Sequence, residues 1–592
     1  MVKRSHCIGP LIIALGGLGL TGCFSAKNDA ALNTSPYRSI LGENVLVFDA
    51  GMDQEAVQRT LDALHKQQAY DEFSANRYAL LFKPGTYDLE VTVDYYVQAA
   101  GLGRVPGDVT INGAVQSVAS TEGKKVTTMF WRAAENFRVV PSEGEALLWA
   151  VSQAAPYRRM QIEGDIRFDK GSWASGGLLA NSIVEGRAGL TTGQQWFTRN
   201  SQLGSWEGGN WNRVFVGVEG APPEEWPEKP TTVIDTTPVI REKPFLTLDS
   251  TGEFAVFVPA LNHNTRGVSW DEQPEAGKLI PIAEFHIAKA AIDDAASINR
   301  ALNAGKHILF TPGIYHLNDS IVVNRPDTVL LGLGLPTFIP QTGKVAFKVN
   351  DVAGVALAGL MVDAGPQKSP TLFEIGKSNS DADNSANPIT LHDIFCRIGG
   401  AVDGEAEVCV TINSDHVIAD HFWLWRADHG IGYEWQDNNS SAHGLVVNGD
   451  DVTVYGLFNE HFQHYQTLWN GERGRTYFYQ SEIPYSPPSN ETWNDEGKAG
   501  FASYKVADHV QEHQAWGLGI YSFFRGDETV ASKVRLENAI ECPAKPGIEF
   551  THIATFAGLN GGINHVINGL GPATEVGELK LYDGFKGVSG ER

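Results

Sequence analysis

Between residues 355 and 457 apolar side chains fall on alternate positions in four short runs: Val355-Ala356-Leu357-Ala358-Gly359-Leu360, Ile389-Thr390-Leu391-His392-Asp393-Ile394, Val417-Ile418-Ala419-Asp420-His421-Phe422 and Val452-Thr453-Val454-Tyr455-Gly456-Leu457. A period of two is that of a strand with one face in a core. The runs begin at residues 355, 389, 417 and 452, so they recur at intervals of 34, 28 and 35 residues. Such recurrence predicts the stacked rungs of a solenoid, joined by loops of unequal length. Val109-Thr110-Ile111-Asn112-Gly113, Phe137-Arg138-Val139-Val140 and Met160-Gln161-Ile162-Glu163-Gly164 repeat the theme more loosely in the first half.

Within this background one segment is written twice. Leu81-Phe82-Lys83-Pro84-Gly85-Thr86-Tyr87 reappears as Leu309-Phe310-Thr311-Pro312-Gly313-Ile314-Tyr315. Each copy follows a helix-like stretch, Glu55 to Leu61 or Ala295 to Leu302. Each leads through a β-branched segment, Val91-Thr92-Val93 or Ile321-Val322-Val323, to a glycine corner, Gly101-Leu102-Gly103 or Gly332-Leu333-Gly334. No Lys-Ser/Thr follows the first corner, so it is not a phosphate loop. An open solenoid end exposes unpaired strand edges and apolar core, and therefore needs a cap. Two capped starts imply two solenoids. The expectation is an all-β chain of two tandem right-handed parallel β-helices with short capping helices, over residues 41–275 and 276–592. The proline-rich stretch Ala221 to Pro230, unsuited to a central strand, is expected to connect them.

Composition changes this picture little. A chain of 592 residues is long for one ordinary core, but a solenoid core grows along its axis. The formal net charge of -24 becomes -26 once residues 1–22, which hold Lys3, Arg4 and no acid, are set aside. A surface of that sign repels nucleic acid and polyanionic polysaccharides and leaves a neutral polymer as the natural large partner.

At the N-terminus, Lys3 and Arg4 precede the apolar run Leu11-Ile12-Ile13-Ala14-Leu15, and the segment closes on Leu20-Thr21-Gly22-Cys23. This order predicts a signal peptide over residues 1–22, too short to span as a mature helix. The tetrad resembles the lipobox of bacterial lipoproteins. It implies a lipid on Cys23, a flexible tether over residues 23–40, and an exported, membrane-anchored protein at the cell surface or in the outer membrane or periplasm. Phe24, where an Asp would retain the protein at the inner membrane, gives no such signal. Of the remaining cysteines, a separation of 13 residues permits a Cys396–Cys409 bridge without requiring it. Buried free thiols, Cys542 included, are the expectation. No spacing of Cys or His suggests a zinc site, and neither a metal nor a cofactor is expected.

Candidate chemistry concentrates between Trp423 and Tyr485, where aromatic, amide and carboxyl side chains are densest. Flat indole and phenol faces cover the CH face of a sugar ring, while Asn, Asp, Gln and His bond its hydroxyls. Trp425, Asp428, His429, Asp450, Asp451, Glu460, Trp469, Tyr479 and Tyr485 are the candidate substrate contacts. Asp450 and Asp451, in Asn448-Gly449-Asp450-Asp451, also read as a turn. Glycoside cleavage needs a carboxyl able to protonate the leaving oxygen. Glu482, at a strand end with Pro484 just beyond, is the candidate.

The blocks Tyr78 to Tyr87, Ser152 to Met160, Trp173-Ala174-Ser175-Gly176-Gly177, Arg241 to Leu246, Trp425 to Gly430 and Tyr477 to Pro488 resemble glycoside hydrolase family 55, the exo-acting β-1,3-glucanases, in its bacterial branch. The resemblance implies β-helices lying side by side, with the site in the cleft between them. It also implies an inverting mechanism with Glu482 as general acid and a water held by Gln153 and Ser175. Neither Gln153 nor Ser175 can take the water's proton, so a carboxylate must be coupled to it; Asp428, Asp450, Asp451 and Glu460 are the candidates. The expected partner is a neutral β-1,3-glucan of laminarin type, with the membrane met only through the lipid, no nucleic acid, and a monomeric chain. The rival readings are a non-catalytic glucan-binding surface lipoprotein and a β-helical polysaccharide lyase. The acidic balance weighs against the lyase.

Overall fold

The computed structural model describes residues 40–588, apart from 119–125, 272–274, 379, 381, 433, 434 and 436–438. The expected signal segment, Cys23 and the tether up to residue 39 lie outside the described residues.

Strands pair in parallel along two successive stacks. In the first, Val45–Phe48, Tyr78–Phe82, Val97–Gly101, Arg132–Val140, Pro156–Ile162, Leu178–Ala180, Gln195–Arg199, Asn212–Val216 and Thr231–Ile234 follow one another across the sheet in chain order. Antiparallel strands between Thr237 and Pro281 come next. From Phe285 onward the chain alternates between a 13-stranded and a 9-stranded sheet. Ile418–Arg426, Thr453–Glu460, Gly474–Glu482 and Glu512–Ser522 are neighbours in the larger sheet, while His443–Val447, Thr467–Trp469 and Tyr504–Val506 fall between them in the smaller. Winding between two sheets with each strand paired to the next turn is the solenoid that the apolar spacing predicts.

The duplicated segment has one job in both places. Tyr87 Oη donates to the carbonyls of Phe48 (3.2 Å) and Lys83 (2.8 Å), and Tyr315 Oη donates to those of Ala288 (2.8 Å) and Thr311 (2.9 Å). Each phenol ties the Pro-Gly turn to the preceding rung. A Cβ on Gly85 would lie 2.6 Å from the Ala50 Cβ, and one on Gly313 2.7 Å from the Ala290 Cβ, so both turns need glycine for close approach. The capping helices Gln54–Gln68 and Ala295–Asn303 start at Asp53 and Asp294, whose carboxylates accept from the free N–H groups of the first turn. Val57, Leu61 and Leu64, and in the second helix Ile298 and Leu302, cover the core.

A column of left-handed residues runs down the second stack: Gly359, Asp393, His421, Gly456, Phe478, Gly517 and His552. Each lies between two residues that stay in register with the neighbouring rung. The column faces the first stack. Phe478 packs on Phe197 at 5.4 Å between ring centroids, His552 Nδ1 lies 3.0 Å from Thr232 Oγ1, and a Cβ on Gly517 would fall 2.2 Å from Val214. Buried rings from both stacks, among them Phe130, Trp131, Phe395, Trp423 and Trp425, fill the seam.

Cys396 and Cys409 form a disulfide, with 6.1 Å between Cα atoms. This corrects the expectation of free thiols: their strands face each other across the core, both side chains fully buried. Cys542 is free, and burial pushes its thiol up to about 12.

Candidate active site

Consecutive rungs of the second stack end at one edge. Trp425 pairs with Glu460 and Glu482 with Tyr521 across the ladder, and the His461 N–H donates to the Glu482 carbonyl at 2.8 Å. Rungs are about 4.8 Å apart, so these side chains stand as a column over the seam. The first stack brings Thr128, Phe130, Gln153, Trp173, Ser175, Gln194 and Trp211 opposite. Together they enclose a cavity of about 540 Å³, within the range of small-ligand sites.

Glu460 is anchored from both stacks. Its Oε1 accepts from Gln153 Nε2 and its Oε2 from Trp423 Nε1, each at 2.9 Å. Burial raises its carboxyl to about 7, against the pull of these bonds. Gln153 Oε1 is buried with no protein partner and so has an open acceptor. Burial also drives the Glu482 carboxyl well above the usual range. The charges of Glu460 and Asp428 add to that rise and Arg525 opposes it. Gln480 Nε2 lies 3.4 Å from Glu482 Oε1.

One wall is ionic. His429 bonds Asp428 Oδ1 through Nδ1 (2.8 Å) and Glu72 Oε1 through Nε2 (2.6 Å), and Arg525 pairs with Asp428 Oδ2 at 2.9 Å. Burial would lower the imidazole, but the two carboxylates raise it to about 10. Burial would raise Asp428, but its bond from His429 and the Arg525 charge hold it well below the usual range. His461, buried behind, is depressed to about 4.

Of the residues singled out from the sequence, Glu482, Gln153, Ser175, Trp425, Asp428, His429, Glu460 and Tyr485 line this cavity. Four do not. The left-handed turn at Phe478 sends Tyr479 into the solenoid interior, where its hydroxyl lies 2.9 Å from Ser503 Oγ. Trp469 is also interior, against His513 and Tyr504. Asp450 and Asp451 sit at a corner between rungs, held by Arg473 at 3.2 and 2.7 Å. Sequence reasoning missed Gln194, Trp211, Tyr521, Ser522, Arg525 and Glu72, and quoted Trp173 without assigning it. Projecting Glu482 one rung onward gives Tyr521 and was the available signal. Glu72 follows the first capping helix and carries none. Among the described residues no group of three or more His, Cys, Asp or Glu side chains is arranged to hold a metal ion.

Residues 285–482 match the family model of the LAM55 pectate lyase-like domain. The chain is 45% identical over 538 residues, 90% of its own length and 87% of the relative's, to an exo-β-1,3-glucanase of Streptomyces sp. (strain SirexAA-E / ActE). The chain belongs to glycoside hydrolase family 55. Family 55 architecture is equally clear in three dimensions: the structure of sacteLam55A from Streptomyces sp. SirexAA-E superposes with a TM-score of 0.89 at 43% identity, covering 92% of this chain and 98% of that one. A variant of sacteLam55A in complex with glucose matches to the same extent. The resemblance read from the sequence blocks and the all-β, pectate-lyase-like fold both hold.

Proposed function

We propose that this family 55 chain is an exo-acting β-1,3-glucanase that releases glucose from laminarin-type glucan by single displacement. The similarity along nine-tenths of the chain to an exo-β-1,3-glucanase supports the substrate. The observation that carries the mechanism is the Glu460–Gln153 contact across the seam, beside a carboxyl that burial keeps protonated. Glu482 delivers its proton to the glycosidic oxygen as the bond to the anomeric carbon breaks. Gln153 keeps no extra proton but passes one on: the attacking water gives a proton to Gln153 Oε1 as Nε2 gives one to Glu460. The imidic acid so formed returns to the amide after turnover, when Glu460 gives its proton back to Nε2 and Oε1 releases one to water. Both Glu460 oxygens are engaged at 2.9 Å, which disfavours its attack on the sugar and so supports inversion. Ser175 steadies the same water. Trp425, Asp428, His429 and Tyr485 hold the sugar, and the ionic wall accounts for exo action by closing one end. Glucose alone at early times, first seen as the α-anomer by NMR, is the expected product; a ladder of oligosaccharides or an initial β-anomer would overturn the reading.

The proposal extends to placement. Residues 1–22 act as a lipoprotein signal, Cys23 carries the lipid, residues 23–40 form the tether, and the monomeric domains 41–275 and 276–592 follow. The order of the segment ending in Leu20-Thr21-Gly22-Cys23 supports this. Radiolabelled palmitate should enter the membrane fraction with the parent and not with Cys23→Ala; equal labelling of both refutes it.

A further inference from the structure

Behind Gln153 lies a fully buried ionic cluster that the proposed mechanism does not use. Arg158 of the first stack reaches Asp393 (2.7 Å) and Asp420 (2.8 Å) of the second. Arg199 reaches Asp420 (3.0 Å) and Glu242 (2.6 Å). His392 Nδ1 stands 3.4 Å from Asp420 and is kept neutral by burial. His421 closes the cluster: its Nδ1 is 2.9 Å from Asp393 Oδ1, and its Nε2 is 3.1 Å from the backbone carbonyl of Gln153. The rings of Phe395 and Phe458 meet it at close to right angles, 5.5 and 5.9 Å away.

An acceptor faces each nitrogen of His421, so the ring bridges the buried cluster and the Gln153 backbone. Buried polar groups demand bonded partners, and here each end of the ring has one. Backbone conformation points the same way. Three positions of the left-handed column are glycine, which adopts that conformation freely, whereas residue 421 is a histidine at φ +71°. A strained side chain in a column where glycine suffices indicates a task for that side chain. Gln153 is itself left-handed, at φ +26°. Its carbonyl is gripped twice, by His421 and by the Ala155 N–H at 2.8 Å.

We infer that His421 is a positioning residue for the water side of the site: it ties the Gln153 backbone to the buried ionic cluster and fixes the aim of the Gln153 amide at Glu460. This rests on the reading of Gln153 and Glu460 as the groups that hold and deprotonate water.

The test compares His421→Gln with His421→Asn on laminarin. A glutamine amide reaches the Nε2 position and keeps a donor to the Gln153 carbonyl, while an asparagine amide stops near Nδ1 and keeps only the Asp393 side. Misaiming a reacting group by about 1 Å costs on the order of 100-fold. Asn is thus expected to lower kcat about 30- to 100-fold with KM changed less than about twofold, and Gln to stay within about fivefold of the parent. In a Gln153→Ala background His421→Asn should cost less than about threefold further, because the group it aims is gone. Equal losses for Gln and Asn, or the same factor for Asn in both backgrounds, would overturn the positioning role. Full activity of Gln153→Ala alone would instead overturn the water-side reading, and the two failures are distinct.

Discussion

Replacing Glu460 by Gln should inactivate the protein and stabilise it, and the size of the stabilisation follows from its burial. Folding moves this carboxyl from its ordinary 4.5 to about 7. Because the folded-state value is the higher one, the folded chain binds more protons than the unfolded chain between these limits. Stability therefore falls as pH rises from about 4.5 to about 7, and the full cost is present above that. At 1.36 kcal/mol per unit the cost comes to about 3 kcal/mol. A glutamine cannot ionise. It keeps an acceptor for Trp423 Nε1, and Gln153 can turn its amide over to accept from the new N–H. The value of about 7 already includes the bonds that Gln153 and Trp423 give the carboxylate, and below it both the acid and the glutamine are neutral. The net gain is therefore about 3 kcal/mol at pH 8.5 and less than about 0.5 kcal/mol at pH 4.5. For a chain of 592 residues, with an unfolding entropy near 2.1 cal/mol/K per residue, this raises the melting temperature by about 3 °C at pH 8.5 and by less than about 0.5 °C at pH 4.5. Tryptophan fluorescence during paired melts at several pH values reads the difference directly. A Glu460→Gln protein less stable than the parent at pH 8.5, or shifted equally at both ends of the range, would refute a desolvated, ionisable Glu460.

Three further outcomes follow from the same site. Glu482→Gln should lower kcat/KM on laminarin about 1,000-fold but cost less than about tenfold on a nitrophenyl β-glucoside, whose leaving group needs no proton; equal losses on the two substrates would remove Glu482 as the acid. The pH profile of kcat/KM should rise with a limb near Glu460's value of about 7, because the base must be ionised, and fall at higher pH as Glu482 loses its proton; activity that is greatest at pH 4 contradicts this assignment. Trp173 is half exposed at the cavity wall, 5.9 Å from Trp211, so Trp173→Ala should raise KM for laminarin about 5- to 10-fold with little change in hydrolysis of a nitrophenyl β-glucoside; an unchanged KM would deny it contact with the chain beyond the cleaved bond.

Sequence carries the architecture because a solenoid repeats it locally. The Pro-Gly-x-Tyr turn is legible twice since Tyr87 and Tyr315 make the same two bonds to the rung before. The helices before it are legible because their caps and apolar faces lie within a few residues. Side-chain direction along a rung is another matter. Strict alternation would set Tyr477 and Tyr479 on the same face, but the left-handed break at Phe478 turns it and Tyr477 together toward the seam and sends Tyr479 inward. The break falls on glycine at 456 and 517 but on Phe at 478, so nothing in the local sequence marks it. Glu482, four residues beyond, keeps its cavity position because the alternation resumes from the break: Tyr479 and Ser481 point in, and Glu482 points out.

The proposed base is illegible for a deeper reason. Asp428, Asp450, Asp451 and Glu460 are equivalent by type and all fall in one stretch of chain. What separates them is a partner 307 positions away: Gln153 reaches Glu460, while Asp428 is neutralised by His429 and Arg525 and the other two by Arg473. A carboxylate already satisfied by a cation has little drive to take a proton from water. Glu460 alone of the four is bonded only by neutral N–H groups among its hydrogen bonds, so it alone combines an engaged geometry with a raised proton affinity. The seam between the two stacks therefore does more than enclose a sugar: the second stack's own cations neutralise three of the four carboxylates, and the first stack's Gln153 engages the fourth, a pairing that exists only once both stacks are in place.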